Sequence, residues 1–266
     1  MGVDQREHAE RFPTGAGGLR HHYRWRRVAA WLAIGYVCAF VVGATFGWSL
    51  QRFGSWHDGL AWERSLMESF RVDLPRWLDA VVYVTPWLAT NLTLLPAVIL
   101  ISAWLAFIRR PRRRDLALHL LVVELGAYTL NPALKWVFDR PRPDLWEKRG
   151  QFAWSSYPSG HAIAGVAVLF TIAVLLHRER GWRWPYAVVA AMLAVSLFSR
   201  LYLGVHWPTD VIAGVLIGAV WLAATINAFS RRCEHPPSGS GVEIDHRDTE
   251  DTEEVHTGER PSLGTR

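Results

Sequence analysis

Six long apolar segments, separated by polar connectors, constrain this chain more than any other feature. The first, 28–51, contains no charged residue and exceeds the roughly 20 residues that a helix needs to cross a bilayer core. A cleaved signal peptide is the alternative, but the segment is too long for a signal core and has no obvious A-x-A site. The other segments are 80–108, 116–138, 162–176, 184–198 and 211–229. The sequence therefore predicts an all-α, polytopic membrane helical bundle with six transmembrane helices.

Positive charge in the connectors predicts how this bundle is oriented. The basic stretches are 20–27, 109–114, 177–183 and 231–232. In a six-helix bundle they all fall on one side, and cytoplasmic loops are enriched in Lys and Arg. Both termini are therefore expected to be cytoplasmic. The connectors expected on the outer face are 52–79, 139–161 and 200–208.

Charge also divides the chain into regions. Residues 231–266 contain five Lys/Arg and nine Asp/Glu, a net charge of −4 in a chain whose total is +5. This polar stretch is expected to be a disordered acidic cytoplasmic tail, and 1–27 a cytoplasmic N-terminal segment. The basic membrane body, 28–230, suits anionic headgroups or phosphorylated substrates, although basic cytoplasmic loops account for much of its charge. Arg109 to Arg114 is interpreted as a membrane anchor and not as a nucleic-acid site.

Several residues mark expected irregularities. Pro86 and Pro96 are expected to kink the second span. Glu124 lies within the third span, where an ionisable group either has a function or forms a structural hydrogen bond. Cys38 and Cys233 are expected at different depths, which argues against a disulfide.

The first outer connector, 52–79, has two interpretations. Met67 and Phe70 favour a short amphipathic helix at the membrane interface, whereas its many charges are compatible with a plain solvated loop. The residues do not decide between the two.

Three polar motifs lie at helix ends that open to the predicted outer face. They are Lys135 to Pro143, Pro158 to His161, and Ser199 to Asp210. Taken singly, each motif is typical of an ordinary turn or solvated loop. Their common position predicts that they form one site.

The residue types in these motifs are complementary to a phosphate group. Lys135, Arg142 and Arg200 supply positive charge, and the planar guanidinium matches phosphate oxygens. Ser159 and the backbone N–H of Gly160 stand at the start of a helix, where anions are attracted. Arg140 is a further candidate for phosphate binding by its charge and position.

Two histidines complete the candidate site. His206 and Asp210 are four residues apart with Pro208 between them, so the carboxylate can lie one helical turn from the imidazole and orient it. His161 follows Gly160. Phosphoryl transfer requires a nucleophile on one side of the phosphorus and a proton donor on the other.

Written as Lys-x6-Arg-Pro, Pro-Ser-Gly-His and Ser-Arg-x5-His-x3-Asp, the three motifs resemble those of the type 2 phosphatidic acid phosphatase family, which is related to vanadium haloperoxidases. The resemblance covers about residues 80–230. It implies that His206 forms a phosphohistidine, that Asp210 orients it, and that His161 protonates the leaving oxygen. It implies a phosphate-binding set of Lys135, Arg142, Ser159, Gly160 and Arg200. It also implies that no metal or other cofactor is required.

The hypothesis is an integral-membrane lipid phosphatase of the cell membrane with an extracytoplasmic active site. Its substrate would be an isoprenoid diphosphate such as undecaprenyl diphosphate, or phosphatidic acid or phosphatidylglycerol phosphate. The alternatives are a lipid phosphotransferase with the same intermediate and a non-enzymatic transporter or scaffold. Six spans argue against a soluble haloperoxidase. The expected partners are a lipid phosphate and the bilayer, without nucleic acid; the sequence gives no oligomeric state.

Overall fold

The computed structural model describes the greater part of the chain as α-helix. The described residues are 25–53, 56–70, 75–108, 111–146 and 155–230. Within these ranges no β-strand occurs. The expected N-terminal segment to residue 24, residues 109–110 of the basic cluster and the expected acidic tail from residue 231, with Cys233, lie outside the described residues.

Eight helices are used below, numbered along the chain. They are α1 (Trp25–Arg52), α2 (Ala61–Ser69), α3 (Arg76–Val84), α4 (Asn91–Phe107), α5 (Pro111–Phe138), α6 (Gly160–Arg180), α7 (Trp184–Tyr202) and α8 (Pro208–Ala228). Five of these, α1 and α5 to α8, are long and apolar enough to cross a membrane, and α3 with α4 forms a sixth, broken span. The prediction of a six-span helical bundle is confirmed.

The break in the second span lies at a proline, as predicted. A 3₁₀ turn, Thr85–Ala89, contains Pro86 and separates α3 from α4, whose axes differ by 55°. Proline lacks the N–H that would continue the helical ladder, so the chain bends there. Pro96 lies inside α4.

The first and last spans pack closely through glycines of α1. A Cβ built on Gly35 would lie 2.1 Å from the Cβ of Ala224, and one on Gly43 would lie 2.9 Å from Ile217 Cδ1. The Ala224 Cβ cannot move away without a shift of the backbone, so glycine at position 35 is required for this approach of α1 to α8, whereas at Gly43 the end of the Ile217 side chain would have to move. The bundle core therefore includes α1, which lies outside the region of the family resemblance.

The helical interpretation of the first outer connector is confirmed. Helix α2 buries Glu63 and Met67 completely, whereas Trp62 and Glu68 are exposed. Phe70, just after the helix, lies edge-on to Phe198 of α7 at a centroid distance of 5.2 Å. One face of α2 is thus packed against the membrane domain.

Helix polarity brings four helix ends together at what we call the site end of the bundle. Helices α5 and α7 finish there, and α6 and α8 begin there. At the opposite end, Arg112 Nη2 of α5 lies 2.7 Å from Glu179 Oε1 of α6. This ion pair joins the two basic connectors, as expected if they share a side. That this side is cytoplasmic stays a prediction.

Glu124 is buried inside the bundle. Its side chain on α5 is 1% exposed, and within the described ranges neither carboxylate oxygen has a hydrogen-bond partner. The interpretation of Glu124 as a satisfied structural group is therefore not confirmed. Cys38 is exposed on α1 as a free thiol.

Candidate active site

Backbone hydrogen bonds tie the three polar motifs to one another at the site end. The N–H of Ser159 donates to the carbonyl of Asp210 at 3.0 Å, and the N–H of Ser156 donates to the carbonyl of Arg140 at 2.7 Å. The third link is a side chain, since Arg142 Nη1 donates to the carbonyl of Val205. The predicted convergence of the motifs is therefore present in the structure.

Asp210, the third residue of α8, has a fully buried carboxylate surrounded by donors. Arg140 Nη1 lies 2.6 Å from Oδ1, and the N–H of Trp207 donates to Oδ2 at 2.8 Å. The hydroxyl of Ser156 also donates to Oδ2. A carboxylate that only accepts is held in its ionised form. Asp210 therefore places a fixed negative charge at the start of α8.

His206 lies directly before α8 with its ring beside that charge. Its Nδ1 is 3.7 Å from Asp210 Oδ2, which is close enough for an electrostatic interaction but too long for a hydrogen bond. Burial lowers the pKa of His206 to about 3, although the neighbouring Asp210 carboxylate acts in the opposite direction. The imidazole is therefore neutral at physiological pH. Because Nδ1 faces Asp210, Nε2 is the nitrogen that can attack.

His161 is the second residue of α6 and is partly exposed. The charges of Arg200, Arg142 and Lys135 act on it, and so does His206. The two histidines that the sequence analysis selected thus belong to one electrostatic environment, although they stand on different helices.

Two of the predicted phosphate ligands donate to neutral groups. Lys135 Nζ donates to the carbonyl of Ser155 at 2.6 Å, and Arg200 Nε and Nη2 both lie 3.3 Å from the hydroxyl of Ser199. Both side chains are nearly buried. Since a carbonyl or a hydroxyl carries no net charge, these contacts orient the cations without neutralising them.

Arg142 follows α5 in the loop that carries the first motif, and it is partly buried. Burial lowers its pKa to about 10, and Asp210 acts to raise it. It remains charged at physiological pH. Its bond to the Val205 carbonyl holds the guanidinium next to the residue that precedes His206.

Ser159 and Gly160 form the wall at the start of α6. In the described part of the chain the buried hydroxyl of Ser159 has no hydrogen-bond partner, as expected for a group that binds a ligand. A Cβ on Gly160 would lie 2.5 Å from Asn131 Nδ2, so glycine at this position leaves room for the side-chain amide of Asn131 beside the start of α6. Asn131 was not predicted. Its spacing of one helical turn from Lys135 is the signal that could have found it.

Arg140 requires a correction. The sequence suggested a phosphate ligand, but its side chain is fully buried behind Asp210, with the guanidinium 5.5 Å from the rings of both Trp56 and Trp207. It also donates to the hydroxyl of Thr209 at 2.8 Å. A cation enclosed by protein on these sides belongs to the scaffold of the site and not to its binding surface.

Glu63 of α2 also belongs to the site and was missed. Its carboxylate accepts from the N–H and the hydroxyl of Thr209 at 2.9 and 2.6 Å, and from the N–H of Leu60 at 2.8 Å. Arg140 Nη2 lies 3.4 Å from Oε2. No local pattern distinguishes Glu63 from the exposed charges around it, because Thr209 and Arg140, which it contacts in the site, lie far along the chain.

Across the ranges that the structure describes, no three His, Cys, Asp or Glu side chains gather into a group able to hold a metal ion. The prediction that no cofactor is required stays a prediction.

Comparison with known proteins gives a consistent family. Residues 116–234 match the sequence model described as the PAP2 superfamily. The chain is 35% identical over 130 residues to an undecaprenyl-diphosphatase of Sulfolobus acidocaldarius, covering 46% of this chain and 58% of the relative. It is 33% identical over 147 residues to phosphatidylglycerophosphatase B of Bacillus subtilis, covering 53% of this chain and 70% of the relative. The match thus spans little more than half of the first relative's length.

A solved structure shares the fold. The crystal structure of the first transmembrane PAP2 type phosphatidylglycerolphosphate phosphatase from Bacillus subtilis superposes with a TM-score of 0.61 at 24% identity. The superposition covers 72% of this chain and 94% of the other. The fold of the superposed part of the chain is therefore that of a known membrane protein.

Proposed function

This chain belongs to the PAP2 superfamily, and on that premise we propose that it is an integral-membrane lipid phosphatase that hydrolyses a phosphomonoester or pyrophosphate bond of a lipid at the outer face. One observation carries the proposal: the neutral imidazole of His206 stands before the buried Asp210 carboxylate, and the charges of Lys135 and Arg142 act on it. This arrangement provides a nucleophile, a charge that stabilises its cationic product, and a binding site for an anion.

In the first step, Nε2 of His206 attacks the phosphorus. The bond between phosphorus and the leaving oxygen breaks, and that oxygen takes a proton from His161. The new P–N bond places positive charge on the imidazole, which Asp210 stabilises. Lys135, Arg142, Arg200 and the hydroxyl of Ser159 hold the oxygens of the transferring group.

In the second step, His161 accepts a proton from water, and the water oxygen attacks the phosphorus. The P–N bond breaks, inorganic phosphate leaves, and His206 returns to its neutral state. The three cationic side chains supply the electrostatic stabilisation that a metal ion gives in other phosphatases, so the proposed reaction proceeds in EDTA.

The proposed substrate is an isoprenoid diphosphate, with glycerolipid phosphates as the competing class. The relatives support these two classes, because one is named an undecaprenyl-diphosphatase and another a phosphatidylglycerophosphatase. An outward-facing site suits the recycling of an isoprenoid carrier. The cationic site recognises the phosphate in either case, so the lipid portion must be identified by experiment.

The test is a phosphate-release assay on purified protein in detergent, with His206→Ala as the control. Undecaprenyl diphosphate, phosphatidic acid and phosphatidylglycerol phosphate are compared, each with and without EDTA. We expect release from at least one lipid, unaffected by EDTA and absent in the variant. Equal release by the variant would contradict the proposal. A phosphorylated acceptor lipid without free phosphate would instead indicate a phosphotransferase.

A further inference from the structure

Glu63 is the feature of the site that neither the motifs nor the matched family region contains. It lies on α2, and the PAP2 match covers residues 116–234. Its carboxylate is fully buried and accepts from the N–H of Leu60, the residue just before α2, from the N–H and hydroxyl of Thr209, and from Arg140. In each of these contacts the partner donates and Glu63 accepts, as an ionised carboxylate requires. A buried negative charge thus faces the start of α8 from outside the membrane spans.

Glu63, Arg140 and Asp210 form a line of alternating charge that we call the carboxylate–arginine triad. Arg140 is its centre, with Nη1 2.6 Å from Asp210 Oδ1 and Nη2 3.4 Å from Glu63 Oε2. All three side chains are completely buried. The guanidinium is therefore shared between two carboxylates, and the triad carries one net negative charge.

Sharing the guanidinium determines how much negative charge acts on His206. If Arg140 faced Asp210 alone, the two charges would largely cancel at the imidazole. Because Glu63 also interacts with Arg140, part of the Asp210 charge remains available to the ring, whose Nδ1 lies 3.7 Å from Oδ2. Because the site is buried and its charges are little screened, this change in the charge that acts on His206 has a large electrostatic effect.

We propose that Glu63 is a positioning residue for phosphoryl transfer: through Arg140 it keeps the Asp210 carboxylate able to stabilise the positive charge that forms on His206. This inference rests on the proposed function. Glu63 contacts Thr209 and Arg140 and none of the groups assigned to phosphate binding, so its effect is on the chemical step. The groups that act on His206 directly are Asp210 of α8, Arg142 of the α5–α6 loop, Lys135 of α5 and His161 of α6.

The test compares Glu63→Gln, which keeps the shape and removes the charge, with Glu63→Asp, which keeps the charge and shortens the side chain. Glu68→Gln is the matched control, because Glu68 is exposed on the same helix. We expect Glu63→Gln to lower kcat about tenfold, the factor that corresponds to one pKa unit of charge interaction. KM should change less than about twofold, and Glu63→Asp should retain more kcat than Glu63→Gln.

Melting temperature in detergent separates this effect from a loss of folding. Thr209→Val removes the hydroxyl that contacts both Glu63 and Arg140 but changes no charge, so it should lower the melting temperature and leave kcat near that of wild type. If Glu63→Gln fails to fold, Glu63→Asp and Thr209→Val decide, because the first keeps the charge and the second changes none. A kcat near that of wild type in both variants despite a lower melting temperature supports the proposal, and losses of kcat that follow the losses of melting temperature overturn it.

The outcomes also separate the two proposals. A wild-type protein that releases no phosphate from any lipid overturns the proposed function and, with it, the role of Glu63. An active wild type in which Glu63→Gln matches Glu68→Gln, or loses less kcat than Glu63→Asp, overturns the role of Glu63 alone.

Discussion

Two groups of charged side chains at the site end differ in what balances their charge. In the carboxylate–arginine triad, the cation of Arg140 lies between two carboxylates. In the group that is proposed to bind the phosphate, Lys135 donates to a peptide carbonyl and Arg200 to a serine hydroxyl. In the triad the charge of Arg140 is compensated by the two carboxylates, which links the helices that carry them, whereas the cations of the proposed phosphate-binding group are only oriented by their contacts. Their charge is therefore balanced best when an anion binds.

Arg140 and Arg142 show the difference most directly. They are two residues apart in the loop that follows α5, and each is followed by a proline. Arg140 is completely buried, whereas Arg142 is partly exposed beside the His206 loop. The same residue type thus serves as scaffold at one position and as candidate ligand at the other.

The largest expected effect comes from removing the imidazole of His206, the proposed nucleophile. His206→Ala should lower kcat at least about a thousandfold, as nucleophile deletions do in other enzymes. The protein should still fold, because His206 is not a member of the triad. Phosphate release and the melting temperature are measured together, and an intact rate would show that the imidazole is not the phosphoryl acceptor.

Exchanging each arginine for Met should separate the two groups. Arg140→Met leaves two buried carboxylates without their cation and should lower the free energy of unfolding by about 3–5 kcal/mol. Arg142→Met should leave stability nearly unchanged and lower kcat/KM about a hundredfold through the lost charge on the transferring group. Denaturation curves and initial rates on both variants check this. The opposite pattern would reverse the assignment of the two arginines.

A smaller effect is expected from Ser159→Ala. Its hydroxyl is buried without a partner in the described residues, so its removal should not destabilise the fold. If the hydroxyl binds the phosphate, kcat/KM should fall about tenfold, the value of a hydrogen bond to a charged group. Ser196→Ala, at another buried serine of the bundle, serves as control. Equal kinetics in the two variants would remove Ser159 from the binding set.

The smallest expected effect concerns pH and stability. The pKa of His206 is about 3 in the folded protein and near 6.5 when unfolded. Below about pH 6.5 the unfolded chain binds a proton that the folded chain does not, so stability is lost as pH falls from there towards 3. From pH 7.5 to 5.5 the loss should be about 1 kcal/mol greater in wild type than in His206→Gln. Equal losses would mean that burial does not depress this pKa.

The sequence predicted those parts of the molecule that local patterns determine. Apolar length identified the six spans, Pro86 marked the bend, and the helix-terminal motifs identified the groups around His206. Boundaries were less accurate, since α6 begins at Gly160 and not at 162, because the motif itself forms the first turn of the helix.

Long-range pairing explains what the sequence did not predict. Glu63 pairs with Thr209, and Arg140 with Asp210, contacts that appear only when the helix ends have been assembled. Charge and position in the motif assigned Arg140 to the phosphate, since nothing in its neighbours indicates that Trp56 and Trp207 enclose it. Asn131 was overlooked because an amide within an apolar span carries no charge.

The packing of α1 against α8 has a consequence for how the protein is made. Among the described residues these are the first and the last helices long and apolar enough to span a membrane, so α1 cannot complete its packing until α8 has been synthesised. A nascent chain that ends before Pro208 has already produced Glu63 and Arg140, but it lacks the helix whose Thr209 and Asp210 receive them. Within the described bundle the site therefore assembles only after α8 has been made, because its contacts join residues that are far apart in the sequence.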